Sequence, residues 1–119
     1  TGADYVQAQR VRRVVMKDLA ALYADVDLIL TPTLTVGAIA LDVLGPDLGA
    51  WFAHLHTPYW DLTGNPVISM PAGFTDSGLP LGVQLAGRPF EEDVVLKAAD
   101  AYQRQTDHHL QLPPLLIEG

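Results

Sequence analysis

The sequence predicts an α/β protein, with helices packed against a short β-sheet. Three observations carry that prediction. Within residues 61–89, two short apolar runs are separated by the polar, glycine-bearing stretch Thr75-Asp76-Ser77-Gly78-Leu79-Pro80, the pattern of two strands and their turn. A segment of helical periodicity, residues 4–24, leads almost directly into the unbroken run Leu28-Ile29-Leu30-Thr31. A helix start, Glu91-Glu92-Asp93, follows the second of the paired runs. Helix followed by buried strand, and strand pair followed by helix, is a layered arrangement. The rest of the chain reads as packing for the strand pair.

Taken in order, residues 4–24 place Val11, Val15, Leu19 and Leu22 on one stripe, expected to face a core. Arg10, Arg13 and Lys17 fall mostly on the other side and read as a solvated face rather than an anion site. The run 28–31, rich in leucine and closed by Pro32, suits a buried strand covered on both faces. Residues 33–46 read as loop, punctuated by Gly37, Gly45 and Pro46. Residues 47–63 are helical but interrupted: Leu48, Trp51, Phe52 and Leu55 share a face before Thr57-Pro58 breaks the run. Thr57 suits an N-cap, Pro58 the first helical position, and Gly64 a left-handed stop. The aromatic group Trp51, Phe52, Tyr59 and Trp60 reads as wall and core rather than a cofactor box.

Strands follow at 67–70 and 81–86. In the second, Leu81, Val83 and Leu85 alternate with Gly82, Gln84 and Ala86, whose small face admits a close neighbour. The acidic start at Glu91 complements the positive end of a helix, with Val95, Ala98 or Ala99, and Tyr102 as its buried stripe and an end near Thr106. The tail from His108 through Pro113-Pro114 reads as loop or extended chain pinned on the surface.

The 119 residues suit a single domain, 1–119. A mean hydropathy of +0.17 is high for so small a body. It fits either an alanine-, leucine- and valine-rich core or apolar surface that meets another chain or domain. A net charge of -7 argues against nucleic acid or an anionic membrane as partner. The chain has no cysteine, so it offers no disulfide, thiolate zinc site or cysteine nucleophile. That fits a reducing compartment, and the cytoplasm is the expected location. No apolar run approaches the roughly 20 residues of a membrane span, and no signal-peptide pattern opens the chain. Because it starts at Thr1 rather than Met, it reads as a processed product or a piece of something longer.

A serine nucleophile needs a base within reach and a group that orients that base. Ser69 lies between apolar residues in an expected strand, and Ser77 lies in a turn; neither sits in a Gly-x-Ser-x-Gly elbow. Ser69 therefore reads as a structural strand residue. His54 and His56, or His108 and His109, would need a third converging ligand to bind metal, and neighbouring helical residues point apart. No metal and no cofactor is expected. His54 reads better as part of a pocket beside Trp51 and Tyr59, and Asp61 as a backbone partner near Gly64.

Four segments in order carry a family resemblance. Asp27-Leu28-Ile29-Leu30-Thr31-Pro32-Thr33 resembles the Asp-x-(apolar)3-Thr-Pro-Thr segment of amidase-signature enzymes. Thr57-Pro58 with Asp61-Leu62-Thr63-Gly64-Asn65-Pro66, and Ile68-Ser69-Met70-Pro71-Ala72-Gly73-Phe74, are similar to that family's next helix and strand. Gly78-Leu79-Pro80-Leu81-Gly82-Val83-Gln84-Leu85-Ala86-Gly87-Arg88-Pro89-Phe90 resembles its carboxy-terminal run. Order and spacing agree from about residue 5 to residue 114.

The resemblance implies helices packed on a short mixed β-sheet, as a partial amidase-signature fold. It implies amide hydrolysis, or ammonia release from glutamine in the amidotransferase branch, by a Ser–cis-Ser–Lys triad and a Gly/Ser-rich loop that have no match here. The chain thus resembles the carboxy-terminal portion of such an enzyme and is expected to be inactive alone. By the same matching, His54, Thr57, Tyr59 and Asp61 would face the substrate, an amide-bearing small molecule. Asp61 departs from the family, in which many members carry Asn. The expected partners are the amino-terminal part of the parent enzyme and further copies of this chain. Self-association would run through the edges of strands 28–31, 67–70 and 81–86, which lose neighbours when a sheet is cut. The competing reading is a non-catalytic binding or oligomerisation module of amidase ancestry.

Overall fold

The computed structural model describes residues 1–40, 42–43 and 48–112. Readings that touch Gly45, Pro46, Pro113, Pro114 and the side chain of Leu48 lie outside the described residues. Helix α1 (Gly2–Leu22) opens at Thr1, whose hydroxyl accepts from the Asp4 N–H. Strand β1 (Ile29–Pro32) follows, then two short helices, α2 (Leu48–Phe52) and α3 (Pro58–Thr63). The hairpin β2 (Val67–Phe74) and β3 (Pro80–Ala86) leads to α4 (Glu92–Gln103) and a 3₁₀ turn, His108–Leu110.

The three described strands form one sheet in the order β1-β3-β2. Both pairings are antiparallel, so this part of the sheet contains no parallel pair. β3 is central and paired on both sides, which corrects the expectation that it would present an open edge; β1 and β2 are the outer strands. β2 runs past the expected stop at Met70 because an outer strand tolerates Pro71, and a register shift between Pro71 and Gly73 absorbs the irregularity. The turn closes with Thr75 N–H donating to the Leu79 carbonyl at 2.8 Å.

Register fixes the two faces of the sheet. Ile29 and Thr31 lie across from Ala86 and Gln84, which in turn lie across from Val67 and Ser69. Leu30, Leu85 and Ile68 share the opposite face. α4 packs against β2 and β3, and the 3₁₀ turn against β2. Val95 and Ala99 are the buried residues of α4, resolving the choice between Ala98 and Ala99. Gly87, just beyond β3, is buried because Val95 comes so close that a side chain there would have no room.

Arg88 ties three elements together. Its guanidinium donates to the carbonyls of Tyr23 at 2.7 Å and Val26 at 2.9 Å, which lie just past the end of α1. It also reaches Asp27 at 3.1 Å and Glu91 at 3.2 Å, and lies over the Tyr23 ring. These two carboxylates are what push the Arg88 pKa further up. One fork-shaped cation thus satisfies two carbonyls of the turn that follows α1 and ties them to the start of α4.

Among the described residues the core is small: Tyr23, Trp60, Thr63, Met70, Gln84, Ala86, Val95 and Ala99 are its buried side chains. Two expectations of burial are corrected. Val11 is 52% exposed and Leu22 is also exposed, so α1 covers only part of its apolar stripe, and none of its residues is fully buried. Leu30 is 63% exposed, because β1 is an outer strand whose second face is uncovered among the described residues.

The dimensions agree. The accessible surface is 8645 Å², against about 6,300 Å² expected for a folded monomer of this mass. The radius of gyration is 17.5 Å, against about 13.5 Å for a compact domain of this length. An excess of about 2,300 Å² is as large as what a substantial interface buries.

Candidate functional site

Of the residues singled out as substrate-facing, His54 and Thr57 lie in the segment between α2 and α3, and Tyr59 and Asp61 lie on α3 itself. The segment between the two helices is bound to the chain just past β1. Thr35 N–H donates to the His54 carbonyl at 3.0 Å and His56 N–H to the Thr33 carbonyl at 3.1 Å, on either side of a bridge between Leu34 and Leu55. Backbone hydrogen bonds and one isolated bridge therefore hold this wall segment to the chain beyond β1.

Side chains lock onto that frame. The Thr35 hydroxyl and His54 Nδ1 are 2.8 Å apart, and the Trp51 ring meets His54 edge-on. His56 Nδ1 and the Tyr59 hydroxyl are 3.0 Å apart, and the Tyr59 ring also leans on Trp60. Thr57 stands at the N-cap of α3 with Pro58 behind it, as expected, but its hydroxyl makes no capping bond. Gly64 ends the helix with φ 77°, a left-handed conformation that suits glycine. Asp61 is exposed and, among the described residues, its carboxylate has no hydrogen-bond partner; the helix end is tied instead by the Thr63 hydroxyl, which donates to the Tyr59 carbonyl at 2.9 Å.

His54, Thr57 and Tyr59 are half-buried, and Asp61 lies beyond them on the exposed side of α3. They form one wall rather than an enclosed pocket. A groove of ≈ 470 Å³ adjoins this wall through Thr33 and Leu34 and is otherwise lined by residues such as Val36, Ser69, Met70 and Leu81. A second groove of ≈ 600 Å³ lies at the far end of the hairpin, around Phe74, Pro80 and His108.

The side chains gathered here are the His54 and His56 imidazoles, the Tyr59 phenol, the Thr57 hydroxyl and, at the exposed end, the Asp61 carboxylate, all groups that can hydrogen-bond. Ser69 Oγ lies 3.0 Å from Thr33 Oγ1, so its hydrogen-bond partner is another hydroxyl rather than a base. Lys97 is engaged by Asp93 at 2.8 Å, an ion pair that holds the Asp93 carboxyl below its usual range. Among the described residues no cluster of His, Asp or Glu could hold a metal ion, and no helix is long and apolar enough to cross a membrane.

Sequence reasoning missed the groups that support the wall: Thr31, Thr33, Thr35 and Gln84. Their signal was available. Thr31, Thr33 and Thr35 recur at the strand period of two, which puts three hydroxyls on one face. Each is used, by Gln84, Ser69 and His54 respectively. Gln84 is the one polar side chain in an apolar strand, and a buried amide requires partners.

Comparison with known proteins agrees with this architecture. A glutamyl-tRNA(Gln) amidotransferase subunit of Psychrobacter sp. (strain PRwf-1) is 39% identical over 110 residues, covering 92% of this chain and 22% of that protein. Its namesake from Streptococcus equi subsp. zooepidemicus (strain MGCS10565) is 43% identical over 112 residues, covering 93% of this chain and 23% of the relative. The crystal structure of the namesake from Thermotoga maritima superposes with a TM-score of 0.70 at 35% identity, covering 79% of this chain and 21% of the other. The chain thus spans less than a quarter of the length of these relatives, and the expected partial amidase-signature α/β fold is what the superposition shows. Residues 1–96 match the family described as Amidase, and the chain belongs to that family.

Proposed function

We propose that this chain is the carboxy-terminal portion of an amidase-type hydrolase. In this reading residues 1–119 form one structural unit of a larger fold, which supplies part of the sheet and the substrate wall. The wall residues are His54, Thr57, Tyr59 and Asp61, and their ligand is an amide-bearing small molecule. A Ser–cis-Ser–Lys triad in the amino-terminal part performs the hydrolysis, and this chain by itself turns nothing over. The setting is the cytoplasm, consistent with a chain free of cysteine.

The observation that carries the reading is the uncovered surface. About 2,300 Å² more than a monomer of this size should expose, with Val11, Leu22 and Leu30 among the open side chains, is surface shaped for cover. The same surface supports the second reading, a non-catalytic module that covers it with another copy of itself.

One experiment separates them. Ammonia release from glutamine and from simple amides is measured for the chain alone and for the chain joined to the amino-terminal part of the Thermotoga maritima relative; light scattering gives the assembly state. The proposal expects no turnover alone, association that disappears on joining, and turnover in the joined protein that falls at least tenfold with His54→Ala. Turnover by the pure chain alone refutes it. A defined oligomer that persists after joining, without turnover, establishes the module.

A further inference from the structure

The wall is anchored to the centre of the sheet by one buried side chain. Gln84 lies in the middle of β3, is 1% exposed, and is the largest fully buried side chain among the described residues. Its Nε2 donates to Thr31 Oγ1 at 3.0 Å and to the His56 carbonyl at 2.8 Å. The orientation of the amide follows from chemistry: a carbonyl oxygen only accepts, so the atom that faces it must be the NH₂ nitrogen. His56 is thereby held through both of its backbone polar groups, the N–H on the Thr33 carbonyl and the C=O on Gln84. Among the described residues no other side chain of β3 bonds to residues 54–61.

We infer that Gln84 is a positioning residue for substrate binding: it fixes the His56 backbone and, through it, the orientation of His54 and Tyr59. His56 sits between them, with its ring on the Tyr59 hydroxyl and its peptide next to the one that pairs with Thr35. Losing the Gln84 bond leaves the part-buried His56 carbonyl without its donor, a cost that the segment relieves if it shifts toward water. The wall then loses its alignment while the hairpin and α4 keep theirs. This inference rests on the reading of residues 54–61 as a substrate wall.

The test is Gln84→Met, which keeps length and apolar bulk but cannot donate. In NMR spectra of the full chain, the ring signals of His54 and His56 shift, while those of His108 and the methyls of Val95 and Ala99 stay in place. In the joined protein described above, KM rises about fivefold and kcat stays within twofold, as expected when ground-state positioning is lost. A second measurement needs no substitution: the Gln84 carboxamide protons of the unaltered chain exchange slowly and show contacts to His56. Unmoved His54 and His56 rings in a folded Gln84→Met chain overturn the inference, as does rapid exchange of those carboxamide protons. A joined protein without turnover counts against the proposed function alone, because the histidine and exchange readouts involve no substrate.

Discussion

Replacing Gly87 with alanine tests how closely α4 approaches the end of β3. A Cβ at this position would lie 2.6 Å from Val95 Cγ2, where ordinary carbon contacts are about 3.5–4.0 Å. Relief requires about 1 Å of movement. Rotating Val95 is costly, since a β-branched residue in a helix has one strongly preferred rotamer. Sliding the new methyl away is blocked by the Glu91 carbonyl at 3.5 Å and Pro66 Cγ at 3.6 Å. Overpacking of this kind costs about 1–3 kcal/mol, against about 0.4–1 kcal/mol gained by stiffening the unfolded chain. A net loss of about 1.5 kcal/mol, with an m-value of about 1.5 kcal/mol/M, lowers the urea midpoint by about 1 M. Trp60, 4% exposed, is the fluorescence probe. Val95→Ala alone also destabilises, by opening a void. Combined, the two changes cost at least about 1 kcal/mol less than their sum, because removing Cγ2 makes room for the new methyl. Additivity within about 0.5 kcal/mol would refute the contact and the close packing inferred from it.

Two further outcomes follow from Arg88 and Tyr23. Arg88→Met keeps the apolar stem but removes every bond to Tyr23, Val26, Asp27 and Glu91, and lowers Tm by several degrees. Arg88→Lys recovers less than half of that loss, since a single ammonium cannot span two carbonyls and two carboxylates; full recovery would reduce Arg88 to a simple surface charge. Tyr23 is buried, and among the described residues its hydroxyl has no hydrogen-bond partner although Asn65 lies beside it. Burial pushes its pKa above the ordinary 10.0, opposed by Arg88 and Asn65. The sign follows: the neutral phenol is favoured in the folded state, so this contribution is fully present below pH 10 and is lost as pH rises through the raised value. Tyr23→Phe is expected to match the unaltered chain within about 0.5 kcal/mol at pH 7 and to lose less stability above pH 10, by urea unfolding at each pH. A large loss at pH 7 would mean the hydroxyl is bonded.

How much could be read before folding depends on the range of the interactions involved. Helix α1, the Thr57-Pro58 start and Gly64 stop of α3, the hairpin turn and the acidic start of α4 are local devices, written in neighbouring residues, and the chain read alone places them. Strand lengths were less legible: β2 passes Pro71 because it is an outer strand, and strand order is a tertiary fact. Resemblance named His54, Thr57, Tyr59 and Asp61 as candidates, but it did not name Thr35, His56 and Gln84, whose bonds hold that segment. Gln84 lies 28 residues from the carbonyl it holds and 53 from the threonine it meets.

The sequence by itself determined the α/β class, the order of elements and the family, because periodicity and motif spacing survive in any stretch long enough to carry them. The tertiary structure decided what is covered. The hydrophobic stripe of α1 and the run 28–31 have the composition of buried elements, yet Val11, Leu22 and Leu30 are exposed. Composition records that a face should be buried, whereas burial requires a second surface at the right place. Among the described residues that second surface is missing for much of α1 and β1, and the molecule as a whole has more surface than its mass requires.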